Sequence, residues 1–204
     1  MASRSRTGLV QRRPILSARQ VAITVIFGAI AAAFELLQIT IPGYSPGVDF
    51  SLSGIWLSLS TMMGGPIVGA IVVFVDAVIG QVGIIGWPGF LIHVLILAAL
   101  YPRVYRIENP TRRLFGFLVV TMLALFFQYW WWIGLYSFVL QIIPFKPQLV
   151  LQFGYAYWVY LAIYFIIPAI VLAAAPELVA PEWRWPWQKE EVEEELERAH
   201  PAQA

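Results

Sequence analysis

Residues 64–85 read GGPIVGAIVVFVDAVIGQVGII, and Asp76 is the single charged side chain among them. The same poverty of charge extends in both directions. Between Arg19 and Arg103 the charged residues are Glu35, Asp49 and Asp76 alone. Over the whole chain 60% of residues are hydrophobic and 12% are charged, which is about half the charged share of an ordinary soluble domain. Such a stretch cannot build a water-facing surface, so lipid must be the solvent for most of the chain. In lipid every backbone polar group needs an internal partner, and long apolar runs meet that need as helices. The expected fold is an all-α integral membrane protein, a bundle of about six transmembrane helices.

Glycine, proline and charge punctuate the spans. The first runs over 18–41 and ends at a Pro/Gly-rich loop, 42–49. A short, serine-bearing second segment, 50–63, is broken by Gly64-Gly65-Pro66, and a third runs over 67–85. Further spans are expected over 86–105, 114–143 and 149–175. Arginines are concentrated in the N-terminal tail (Arg4, Arg6, Arg12, Arg13) and the 101–113 loop (Arg103, Arg106, Arg112, Arg113). Six crossings put both on one face, which is the cytoplasmic face by the positive-inside rule, with N-in and C-in termini. The expected organisation is a basic cytoplasmic tail over 1–17, a transmembrane substrate-binding domain over 18–175, and a terminal segment over 176–204. In that segment Trp183, Trp185 and Trp187 suggest an interfacial anchor, followed by an acidic cytoplasmic helix. The apolar run after Arg19 is too long for a cleavable signal core. The expected location is the plasma membrane, with multiple passes.

The segment Gly64-Gly65-Pro66-Ile67-Val68-Gly69-Ala70, with Asp76 further along, resembles the S components of energy-coupling factor (ECF) vitamin transporters. These often carry Gly-Pro-x-x-Gly-Ala at the start of the third helix and an acidic residue about a dozen positions later. Pro66, Gly69, Ala70 and Asp76 match that pattern. The basic tail, small-residue first helix, Pro/Gly-rich first loop and polar second segment follow the same order. The resemblance covers roughly 18–175 in architecture and 20–80 in residue detail. It implies a substrate-capture subunit that binds a small vitamin or precursor outside and delivers it inward. It also implies partners, a transmembrane coupling subunit and two cytoplasmic ATPases that supply the energy. In that family an Ala-x-x-x-Ala pattern on the first helix contacts the coupling subunit, and Ala29 and Ala33 match it. At 100° per residue Ala22, Ala29 and Ala33 share one face of this helix, while Ala31, Glu35 and Gln38 lie opposite, with Gly28 nearby. The alternative for the alanines is close packing within the bundle.

Polar groups inside a membrane are candidate functional residues. Glu35 and Gln38 near the outer end of the first span, Asp49 in the first loop, His93 in the fourth span, Gln128, Trp131 and Trp132 in the fifth, and Gln152 and Tyr155 in the sixth gather in the outer half. They form the expected substrate-binding set: flat faces for stacking and a few polar groups for orientation. Asp76 is expected to be hydrogen-bonded to neighbouring helices, with direct ligand contact as the alternative. Lys146 is the one cationic side chain in the outer loops, so a polyanion lacks its usual clamps and a neutral or cationic aromatic ligand is expected.

Other chemistries are disfavoured. Gly43-Tyr44-Ser45-Pro46-Gly47 fits G-x-S-x-G in letters, yet it joins two membrane segments and places proline directly after the serine. With no cysteine and two histidines, no metal site is expected. There is no phosphate-cradling Walker motif, so the chain is not expected to be an enzyme, and neither a cofactor nor nucleic-acid binding is anticipated. The alternative function is a stand-alone secondary transporter or channel for a small aromatic solute, although no internal repeat of the usual kind is visible.

Overall fold

The computed structural model describes residues 16–42, 49–80, 83–181 and 183. Helix α1 (Ala18–Leu36) starts at a capping box. The Gln20 N–H donates to Ser17 Oγ at 3.2 Å, and the Ser17 N–H donates to Gln20 Oε1 at 2.9 Å. A short antiparallel ribbon follows, β1 (Thr40–Pro42) and β2 (Asp49–Ser51), with Ile41 opposite Phe50. Next come α2 (Gly54–Ile79), α3 (Trp87–Tyr105) and α4 (Pro110–Gly134), the last capped by Asn109. A π-helical turn, Leu135–Val139, prolongs α4. A second π-helical turn, Gln152–Ala156, joins α5 (Phe145–Leu151) to α6 (Tyr157–Ala174).

Among the described residues five helical stretches are, by length and composition, long and apolar enough to cross a membrane: Ala18–Leu36, Gly54–Ile79, Ile84–Tyr105, Pro110–Val139 and Phe145–Ala174. Their outward faces carry large apolar side chains in the open, among them Val25, Ile26, Phe115, Phe126, Phe127 and Ile170. A continuous apolar exterior of this kind has no place in water and suits hydrocarbon. The helical membrane-protein class expected from composition therefore holds.

Where two spans were expected over 50–63 and 67–85, the structure has α2, and α2 is not straight. Gly65 has φ +85°, ψ −170°, a left-handed conformation that favours glycine, and the chain folds back there. A Cβ added at Gly69 would lie 3.2 Å from the Cβ of Thr61, whereas eight residues of straight helix would separate them by about 12 Å. Ser53, before the first arm, and Asp76, near the end of the second, line the same cavity. Residues 54–64 and 66–79 are thus two antiparallel arms.

The hairpin runs the length of the bundle. At one end the Gln20 Nε2 donates to the Gly64 carbonyl at 2.9 Å, the Arg19 guanidinium to the Leu178 carbonyl at 3.2 Å, and the Tyr101 hydroxyl to the Val179 carbonyl at 2.8 Å. Trp183 lies buried against Gly65, so of the three tryptophans expected at a lipid interface this one packs inside the protein. Trp185, Trp187 and the acidic segment lie outside the described residues, as does most of the basic tail. At the other end, Ser51 and Gly80 meet Glu35 near the close of α1, about 22 Å along the helix from Gln20, and Ser51 in turn reaches Ser53. Both arms pack on α1, the hairpin also contacts α3 and α6, and α4 lies against α3 and α6.

Candidate substrate-binding site

The Glu35 end of the bundle holds a cavity of about 100 Å³. Its walls come from five places in the chain. Glu35 and Gln38 stand at and beyond the end of α1, Thr40, Asp49 and Ser51 belong to the ribbon, and Ser53, Asp76 and Gly80 flank the two arms of α2. Phe90 of α3 and Tyr160 and Tyr164 of α6 complete the lining. The ribbon reaches the site because strand alternation sends Ser51 toward Glu35 while Phe50, 3% exposed, packs on the Tyr155 and Tyr160 rings at 5.6 and 5.3 Å.

A polar chain runs across the cavity. The Ser51 hydroxyl donates to Glu35 Oε1, the Ser51 and Ser53 Oγ atoms are 3.0 Å apart, and Ser53 and Asp76 both line the cavity. Glycine at position 80 makes room for this arrangement, since a Cβ there would come within 2.8 Å of Glu35 Oε2. Gly54 does the same for Tyr164, whose ring would overlap any side chain at that position. Asp76 is 3% exposed, and its Oδ1 has no hydrogen-bond partner. The sequence-based expectation is an Asp76 hydrogen-bonded to neighbouring helices, and its Oδ1 has no such partner.

A second cavity of about 360 Å³ shares Asp49 and Tyr160 as walls with the first. Phe50, Tyr136, Gln148, Gln152 and Ala156 line it, together with apolar side chains. Two of its residues, Gln152 and Ala156, sit on one π-helical turn, and Tyr136 sits on the other. The wider i→i+5 spacing rotates side chains out of α-helical register, and such turns are frequent at functional sites.

Of the residues expected from sequence, Glu35, Gln38, Asp49 and Gln152 line one or other cavity. His93 and Gln128 do not. His93 is fully buried with its ring 4.5 Å from that of Tyr164, and both of its nitrogens lack partners. The Gln128 side chain hydrogen-bonds Tyr164 from behind the cavity wall. Trp131 is 36% exposed and packs against Gly89, on the outside of the bundle. Trp132 is buried, stacked on Tyr136 at 5.8 Å and edge-on to Phe90 at 5.7 Å. It supports both cavities without lining either. Tyr155 packs on Phe50 and is 42% exposed. The aromatic surfaces that do line the cavities are Phe50, Phe90, Tyr136, Tyr160 and Tyr164.

Sequence reasoning missed Ser51, Ser53 and Gln148 as lining or bridging residues. Serines in a short span read as polar dilution from sequence, and Gln148, 1% exposed, falls between two expected spans. Among the described residues no group of three or more His, Cys, Asp or Glu side chains is placed to hold a metal ion. No family model, curated protein or solved structure matches this chain.

On α1, Ala29 and Ala33 lie on the exposed face together with Ala22, Val25 and Ile26, while Gly28 and Ala31 are buried. Within the described bundle the two alanines therefore pack on no neighbouring helix.

Proposed function

We propose that this chain is the substrate-capture subunit of an ECF-type importer. It takes a small vitamin-like heterocycle, neutral or cationic, from outside and passes it inward with a transmembrane coupling subunit and two cytoplasmic ATPases. The observation that carries this reading is a polar, carboxylate-lined cavity at one end of an otherwise apolar bundle, opposite the end where Arg19, Arg103, Arg106, Arg112 and Arg113 gather. With the arginines cytoplasmic, the cavity faces outside, the chain crosses six times, counting each hairpin arm, and both termini are cytoplasmic. The outward alanine face of α1 supports a partner helix at close range.

The test is purification from the native membrane, which should bring ATPase subunits with the chain. Ala29→Leu with Ala33→Leu should abolish that association and uptake while leaving a ligand-induced rise in melting temperature intact. Loss of the ligand response in the isolated variant would mean that these alanines serve the bundle itself.

A second reading has one observation in its favour. Glu35 and Asp76 face a common cavity, and intramembrane carboxylates carry coupling protons in secondary transporters. Uptake that a proton uncoupler abolishes, and that survives loss of the ATPases, would select it.

A further inference from the structure

We infer that the two adjoining cavities form one bipartite site for an organic monocation. A nitrogen with at least two N–H donors sits between Glu35 and Asp76, and the uncharged body of the same molecule fills the compartment lined by Gln148 and Gln152. The inference rests on the capture reading and narrows its ligand from neutral-or-cationic to cationic.

Asp76 carries the argument. A carboxylate oxygen that is buried without a donor is costly, and native structures satisfy nearly all such atoms. Asp76 lines the cavity, and its buried Oδ1 has no partner. None of the hydroxyls in the lining, those of Thr40, Ser51, Ser53, Tyr160 and Tyr164, is hydrogen-bonded to Asp76 Oδ1. The Ser51 hydroxyl is already shared between Glu35 and Ser53. Oδ1 is an acceptor without a donor, and a ligand N–H supplies what it lacks.

Charge points the same way. Three carboxylates line the smaller cavity, and no lysine or arginine does. The chain has neither residue between Arg19 and Arg103, so the segments at 43–48 and 81–82 add no cation either. An anion here would meet like charge in a medium of low dielectric.

Size divides the ligand in two. A cavity of about 100 Å³ admits an ammonium or amidinium head but not a ring system as well. The neighbouring compartment of about 360 Å³ has room for a ring system. Its side-chain amides, Gln148 and Gln152, offer hydrogen bonds to the edges of a heterocycle, and Phe50 and Tyr136 offer faces. Asp49 and Tyr160 stand where the two parts join.

The test uses the full chain in nanodiscs and three probes that share one body: tryptamine (cationic), tryptophol (neutral) and indole-3-acetate (anionic). Calorimetry should show tryptamine binding at least about tenfold more tightly than tryptophol, with indole-3-acetate weakest, because a hydrogen bond to a charged group is worth that factor or more. Glu35→Gln and Asp76→Asn should each weaken tryptamine by about tenfold and change tryptophol by less than about twofold. Gln148→Leu should weaken both probes alike. If Asp76→Asn does not fold, Glu35→Gln gives the same split from a less buried position. Preference for tryptophol or indole-3-acetate, binding of none of the three, or equal losses of charged and neutral probe in Glu35→Gln would overturn the inference. Co-purified ATPase subunits with a chain that prefers the neutral or anionic probe would leave the capture reading standing and remove this one. Tryptamine preference without such partners would do the reverse.

Discussion

Gly80 and Gly54 set how closely the polar groups of the cavity approach one another. Gly80→Ala places a methyl against Glu35 Oε2 and the Asp76 carbonyl, each 2.8 Å away, so the Glu35 carboxylate must swing out of its contact with Ser51. The Asp76 carbonyl belongs to the backbone and cannot swing aside, so the expected result is ligand binding weakened by about tenfold together with a lower melting temperature, read by titration and thermal unfolding on the same sample. Gly54→Ala meets the Tyr164 ring, which is itself held by His93 and Gln128. Overpacking of this kind costs about 1–3 kcal/mol, so the melting temperature should fall. Tyr164→Leu should recover part of the loss in the double variant, as coupled neighbours do. A simple sum of the two single effects would show that Gly54 and Tyr164 do not meet.

At the level of elements, the hairpin of α2 is the feature with the clearest test. The chain has no cysteine, so Thr61→Cys with Gly69→Cys reports on one pair alone. A Cβ at 69 lies 3.2 Å from that of Thr61, close to disulfide range, and an oxidised bridge should form readily. A straight helix would keep the two thiols about 12 Å apart and unbridged. The ribbon is the other element with a function to test. Within the Pro/Gly-rich loop 42–49, residues 43–48 lie outside the described residues, and the strands on either side flank the cavity. External protease should cut 43–48 in the free protein and more slowly with ligand present, and equal rates would argue against gating. These two elements also mark how far the sequence could be read. Gly64-Gly65-Pro66 separates the two spans expected from sequence, and six crossings make them antiparallel, but hydropathy does not say which of their side chains meet. Only the fold-back brings Ser53 to Asp76. The choice of Trp131 and Trp132 as stacking groups failed for a related reason. In lipid both the inward and outward faces of a helix are apolar, so periodicity alone cannot tell which tryptophan looks into a cavity. Glu35, Gln38 and Asp49 were legible because a polar group in an apolar run has few places to go.

For the molecule as a whole, the proposed orientation makes Asn109 cytoplasmic and Ile142 external. Single cysteines at these positions should react with an impermeant thiol reagent from opposite sides of sealed vesicles, and labelling from the same side would refute the six-crossing path. The overall class was plain from composition, because an exterior of Val25, Phe115 and Phe127 follows from a chain with so few charges to display. The hairpin has one more consequence in the bilayer we propose. Its arms, 54–64 and 66–79, measure about 16 and 21 Å at the α-helical rise, against a hydrocarbon core of about 30 Å. The second arm turns Ile67, Ile71, Phe74 and Val78 outward, so lipid meets this short wall directly. Acyl chains beside it must shorten or disorder to cover it, and the cost of that mismatch grows with membrane thickness. The protein should therefore unfold at a higher temperature in bilayers of shorter acyl chains, and a local dimple in the membrane would travel with it.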